Sequence, residues 1–215
     1  MTIRWLLGLA LVWATVMDSG FFAGAARADE AVMPGIQVED KNTRCTAGFA
    51  AQGDDGNYYL MTSGHCGRHD GLPWTYGDNV PLGKIAASEL EGDKRDAAII
   101  LLDPSVGAPL GHVGGQYSVR DVLSLDQVEV GMPFCKIGAV TGETCGEVES
   151  TVGGVVKTSV FSLIGDSGSP GFVKNPDGTV SAVGLLMSSP DGDDNTTYFM
   201  PVDPLLGKWR LRVLE

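Results

Sequence analysis

The chain has 215 residues and a formal charge of −12, with 43% hydrophobic and 20% charged residues. That length fits one domain or two small ones, and the composition is that of a packed globular protein. The acidic balance argues against a nucleic-acid partner, because phosphate binding draws on clustered Lys and Arg.

The first 28 residues read as an export signal. Arg4 supplies a positive start, residues 5–16 form an apolar stretch, and Ala26-Arg27-Ala28 has the small-x-small form of a cleavage site. A membrane anchor is the competing reading. The stretch is shorter than the roughly 20 residues a span needs, and Asp18 interrupts it. The expectation is a secreted or cell-envelope protein that leaves the membrane on cleavage, with only residues 29–33 available as a propeptide.

Past the signal the pattern is β throughout. Short apolar or alternating runs at 45–52, 58–63, 97–102, 119–125, 146–150, 155–163, 172–174 and 179–187 predict strands. Asn175-Pro176-Asp177-Gly178 predicts a hairpin turn, and the Gly-rich stretch 107–115 a boundary between two halves, 29–115 and 116–215. Asp203-Pro204 predicts the N-cap and first position of a short closing helix. Two β halves of similar size suit a pair of small antiparallel barrels, although periodicity does not separate barrels from a sandwich.

Cys45, Cys66, Cys135 and Cys145 all follow the signal. An even count in an exported chain reads as two disulfides, and three pairings are possible. The sequential pairing would close one short loop in each half, contributing on the order of 3 kcal/mol per loop. Zinc is the rival reading, but no C-x-x-C pair is present, so no metal is expected. The acidic loop 191–195 clusters oxygens without the spacing of an EF-hand. No cofactor is expected.

Three stretches carry chemistry. In Gly165-Asp166-Ser167-Gly168-Ser169-Pro170, glycines on both sides permit a tight turn from which a serine hydroxyl protrudes. The amides of Gly165 and Ser167 can then converge on one oxygen, a contribution of roughly 3 to 4 kcal/mol per donor to an oxyanion. In Leu60-Met61-Thr62-Ser63-Gly64-His65-Cys66, a strand delivers His65 to its end beside a cysteine. A base with the ordinary histidine value suits a serine nucleophile at neutral pH. His69 and His112 sit in polar or Gly-rich loops and read as solvated. In Arg95-Asp96-Ala97-Ala98-Ile99, a carboxylate stands at the mouth of an apolar strand, where it must be paired, and an imidazole base needs such an acceptor. Asp93 falls in an exposed charged run and Asp103 at a turn.

These motifs, in the order His65, Asp96, Ser167, resemble those of the trypsin- and chymotrypsin-like serine peptidases, and more closely the bacterial streptogrisin and α-lytic protease branch. Cys135-Lys136-Ile137-Gly138 with Cys145-Gly146 is similar to that branch's disulfide-closed hairpin, and Phe199-Met200-Pro201-Val202 to its approach to the last helix. The resemblance runs from about Gly35 to the C-terminus. It implies two six-stranded antiparallel barrels, the first carrying His65 and Asp96, the second Ser167 and the S1 pocket. It further implies a secreted endopeptidase acting on polypeptides through an acyl-enzyme, expected to be a monomer. A Lys136–Asp166 ion pair would replace the Arg that the branch uses to brace the oxyanion loop.

The chain departs from that pattern around the pocket. Met187 stands where a serine supports the triad carboxylate, and Ser189 where a glycine opens the S1 pocket, with Ser188 between them. Phe161, Ser162, Leu163 and Ile164 form the other wall, without charge. An uncharged pocket points to a small or medium apolar P1 residue. The same departures suit the alternative of a protease-like secreted binding protein with weak or lost activity.

Overall fold

The computed structural model describes residues 31–68, 71–92 and 95–215. The export signal with its cleavage site, His69 and Asp93 lie outside these residues. The first sheet contains β1 (Gln37–Glu39), β2 (Arg44–Thr46), β3 (Ala50–Gly53), β4 (Tyr58–Thr62), β5 (Pro73–Tyr76), β6 (Val80–Glu91) and β7 (Arg95–Leu102). The second contains β8 (Val119–Val122), β9 (Pro133–Gly138), β10 (Gly142–Ser150), β11 (Val156–Thr158), β12 (Pro170–Lys174), β13 (Val180–Ser188) and β14 (Thr197–Pro201). Helix α1 (Asp203–Trp209) follows, then β15 (Leu211–Val213), which returns to the first sheet and pairs with β3.

Strand order in the first sheet is β15-β3-β4-β7-β6-β5-β1-β2, a curled half-barrel. The second runs β12-β9-β10-β11-β14-β13-β8, and a further β12–β13 pairing closes six of its strands into a barrel. Among the described residues no helix is long and apolar enough to cross a membrane.

Burial explains the strands that the sequence marks best. β7 is an unbroken apolar run after its first two residues because β4 and β6 flank it and both its faces are covered. β13 is buried from Val180 to Met187 for the same reason, between β12 and β14. The first half packs around Val38, Leu60, Trp74, Leu82 and Ile100. The second packs around Phe134, Val148, Val183 and Phe199, with the two phenyl rings 4.8 Å apart. A third cluster joins the halves: Phe49, Met61 and Ile99 from one meet Phe172, Leu185 and Met187 from the other.

Three expected strands are shorter than predicted by more than one residue, and of these the run 119–125 ends at Val122, ahead of a 3-10 turn at Leu125–Gln127. The run 45–52 breaks between Thr46 and Ala50. Gly48 lies there against the second half, where a Cβ would come within 2.8 Å of the Gly168 carbonyl oxygen. The run 155–163 leaves the sheet after Thr158, and the Ser162 amide donates instead to the Asp194 carbonyl at 2.9 Å. Helix α1 starts one residue early, with Val202 rather than Asp203 as N-cap. The turn at Asn175 forms as expected, the Gly178 amide donating to its carbonyl at 3.1 Å.

Candidate active site

His65 follows β4 directly, in a tight 3-10 turn from Gly64 to Arg68. The disulfide Cys45–Cys66 ties that turn to β2. Gly64 is required because a Cβ would collide with the Glu89 carbonyl oxygen and lie 2.8 Å from the Ala97 amide nitrogen. The turn therefore lies flat on β6 and β7, which brings His65 onto Asp96. The carboxylate accepts from the His65 main-chain amide at 2.6 Å and contacts ring Nδ1 at 2.7 Å. Asp96 is buried, whereas 29% of the His65 side chain remains exposed. With Nδ1 facing a carboxylate, the neutral ring carries its proton there and Nε2 is the basic nitrogen.

Ser167 lies across the seam in the other half. Its carbonyl accepts from the Thr46 amide at 2.8 Å, and the Gly168 amide donates to the Leu186 carbonyl at 2.8 Å. Gly168 has a φ of +88°, and a Cβ there would meet the Thr62 hydroxyl and approach the Ser63 amide to 3.0 Å. The backbone carrying Ser167 thus rests on the strand end that carries His65. Both Ser167 and His65 are partly exposed.

Sequence reasoning missed Thr46, a fully buried hydroxyl at this seam. Its Oγ1 donates to the Gly165 carbonyl at 2.9 Å and accepts from the Ala139 amide at 3.0 Å. Together with the Asp166 amide, which donates to the Leu163 carbonyl at 2.9 Å, these bonds fix the peptide between Gly165 and Asp166. Among the described residues the amides of Gly165 and Ser167 make no hydrogen bond, so both donors are unspent. The only signal of Thr46 in the sequence is a hydroxyl beside Cys45 within an apolar run.

The carboxylate next to Ser167 is sealed below the turn. Asp166 and Lys136 are both fully buried, with Nζ 3.4 Å from Oδ2. Thr141 bridges them, accepting from Lys136 Nζ at 2.5 Å and donating to Asp166 Oδ2 at 2.7 Å. The amides of Val140, Thr141 and Leu163 also donate to the carboxylate, at 3.1, 3.2 and 3.0 Å. Burial pushes the Asp166 carboxyl upward most strongly, yet the Thr141 hydroxyl, the Leu163 amide and the Lys136 charge together hold it below the ordinary carboxylate value. Burial pushes Lys136 below the usual lysine range, and Asp166 offsets this only in part. The second disulfide, Cys135–Cys145, staples β9 to β10 beside this pair.

The predicted pocket residues fall on two facing segments. Ser162 is buried, while Leu163 and Ile164 are exposed, Ile164 completely. On the opposite side Met187 is buried in the cluster joining the halves, Ser188 ends β13, and Ser189 follows it. A cavity of about 440 Å³ lies behind Met187, Ser188 and Ser189, against Val155 and Tyr198. Another, of about 350 Å³, adjoins Gly165 and Ile164 and is lined by Lys41 and Arg44. A cavity of about 600 Å³ between β8, α1 and β15 shares no residue with the site. The groupings of potential metal ligands among the described residues each rely on cysteines already joined in disulfides. Asp193, in the acidic loop, spends its carboxylate on the Asn195 amide.

A two-sheet fold with an imidazole–carboxylate pair in one half and, in the other, a glycine-flanked serine whose backbone rests on the same seam is the arrangement of the chymotrypsin-like serine protease class. The comparisons agree. The chain is 31% identical over 188 residues to an uncharacterized protein of Mycobacterium tuberculosis, covering 80% of this chain and 81% of that one. It is 31% identical over 182 residues to streptogrisin-C of Streptomyces griseus, of whose length it spans 38%. The solved structure of an alpha-lytic protease homolog, N4, superposes with a TM-score of 0.68 at 30% identity, covering 84% of this chain and 98% of that one. No family model matches. The chain belongs to the bacterial chymotrypsin-like serine proteases, with streptogrisin and alpha-lytic protease homologues among its relatives.

Proposed function

We propose that the chain is a secreted serine endopeptidase in which Ser167 is the nucleophile, His65 the general base and Asp96 its anchor. The observation that carries this reading is the two-point hold of Asp96 on His65, at 2.6 and 2.7 Å, beside the backbone of Ser167. The Ser167 hydroxyl attacks the scissile carbonyl carbon as its proton passes to His65 Nε2. The carbonyl oxygen gains negative charge, and the unspent amides of Gly165 and Ser167 are the donors that would stabilise it. Collapse of the tetrahedral intermediate breaks the C–N bond, and His65 returns the proton to the departing amine. Water, deprotonated by His65, then attacks the acyl-enzyme, and the serine regains its proton. Asp96 stays ionised throughout and stabilises the imidazolium.

The Lys136–Asp166 pair supports the reading from below. Its carboxylate collects the amides of Val140, Thr141 and Leu163, so the loop that carries Gly165 is tied to β9 and β10. Two disulfides and an export signal fit an extracellular or cell-envelope location.

A fluorophosphonate probe tests the proposal. Stoichiometric labelling of Ser167 in the folded, disulfide-intact protein is expected, with none in Ser167→Ala. Peptide hydrolysis by that variant should drop by about 10⁴ to 10⁶. Absence of labelling would leave the alternative of a binding protein, which the hydroxyl contact between Ser162 and Ser189 favours, since it narrows the pocket.

A further inference from the structure

Three hydroxyls run inward from the rim of the pocket. Ser162 Oγ lies 2.8 Å from Ser189 Oγ on one side and 2.8 Å from Thr197 Oγ1 on the other. Thr197 Oγ1 in turn donates to the Val160 carbonyl at 2.6 Å. Each hydroxyl has one proton, and this order fixes where each one goes. Thr197 spends its proton on the Val160 carbonyl, so Ser162 donates to Thr197. Ser162 has then no proton left, so Ser189 donates to Ser162. Ser162 and Thr197 are 3% and 0% exposed, so neither can turn to water for another partner.

Two consequences follow for a side chain entering between the facing segments. Oxygens 2.8 Å apart leave no passage for a carbon, which needs roughly 3.5 Å to each neighbour. The pocket therefore ends at the Ser162–Ser189 bond. With every proton in the chain pointing inward, an entering carboxylate gains a donor only by drawing the Ser189 proton away from Ser162, and none of the three hydroxyls carries a charge to compensate it.

Resting on the endopeptidase reading above, we infer that the Ser189–Ser162–Thr197 chain closes the pocket and restricts P1 to small uncharged residues such as alanine. Long aromatic or acidic P1 residues are excluded. Ser189 is the position that sets the depth, since it is the partly exposed end of the chain and its Cβ carries the bridging oxygen.

The test uses the full, disulfide-intact protein and fluorogenic peptides that differ only at P1, as Ala, Leu, Phe or Glu. Wild-type kcat/KM is expected to favour Ala over Phe and over Glu by about 100-fold or more. Ser189→Gly removes the bridging hydroxyl and its carbon, and should raise the Phe-to-Ala ratio at least 10-fold. Ser189→Ala, which removes the oxygen alone, serves if the glycine variant fails to fold, and should raise the ratio in the same direction by less. Cleavage after Phe or Glu as fast as after Ala in the wild type overturns the inference, as does a ratio unmoved by these substitutions. Fluorophosphonate labelling of the wild type separates the two levels. A labelled enzyme with the wrong P1 preference sinks this inference alone, and an unlabelled one sinks the endopeptidase reading with it.

Discussion

Asp96 grips His65 at two points, with one carboxylate oxygen on the main-chain amide and the other on ring Nδ1. The first contact fixes where the residue sits and the second fixes which ring nitrogen is basic. Asp96→Asn keeps the shape but offers an NH₂ to one of the two donors. We expect kcat to fall by about 10⁴ near neutral pH, with KM little changed, measured by steady-state hydrolysis of one peptide. An equal loss in Tm and in kcat would instead mark Asp96 as a purely structural residue.

The Lys136–Asp166 pair should respond unequally to the loss of either member. Asp166→Ala strands a fully buried ammonium beside the Thr141 hydroxyl, at a cost of about 3–5 kcal/mol in urea unfolding. Lys136→Met leaves the carboxylate with one hydroxyl and three amide donors, so its cost should be the smaller of the two. The reverse ranking would show that the amides contribute little.

Acid stability carries the same signature. Asp166 is held below the ordinary carboxylate value in the fold, so the unfolded chain binds its proton more readily. Its contribution is therefore complete above the unfolded value of about 4 and fades as pH falls through it toward the lower folded value. As pH falls below about 4, unfolding free energies of the wild type should drop more steeply than those of Asp166→Asn. Parallel curves would contradict the depressed value.

Thr46 is expected to behave as a positioning residue. Thr46→Val keeps the volume but removes the donor to the Gly165 carbonyl and the acceptor for the Ala139 amide. Two buried groups lose a partner, at about 1–3 kcal/mol each. If Thr46 fixes the Gly165 peptide, kcat should fall further than Tm predicts, with KM nearly constant. Thr46→Ser, which retains the hydroxyl, should restore most of it.

The candidate site was legible because its residues sit in short local signals. Ser63-Gly64-His65-Cys66 and Gly165-Asp166-Ser167-Gly168 carry glycines with no room for a side chain, Gly64 against β6 and β7 and Gly168 against the other half. β7 and β13 were legible as long apolar runs. β6 was not, because it alternates partly exposed residues with Pro81, Gly83 and four charged side chains or hydroxyls, and its backbone pairing to β7 supplies what its side chains do not announce. β1, β5 and β15 are three or four residues long, below what periodicity can register. Thr46 and the Ser189–Ser162–Thr197 chain were invisible for another reason. Their partners lie between 27 and 119 positions away, and only the fold brings them together.

The return of β15 to the first sheet changes what the end of the chain does. Leu211, Arg212 and Val213 pair with Gly53, Gln52 and Ala51, and the Leu214 amide donates to the Ala50 carbonyl at 2.9 Å. The polypeptide leaves the first half near residue 102, builds the second, and comes back to buckle onto its starting point like a belt. Separating the halves would mean tearing that ladder away, so Ser167 and His65 are kept in register by residues 211–214, remote from either of them in sequence.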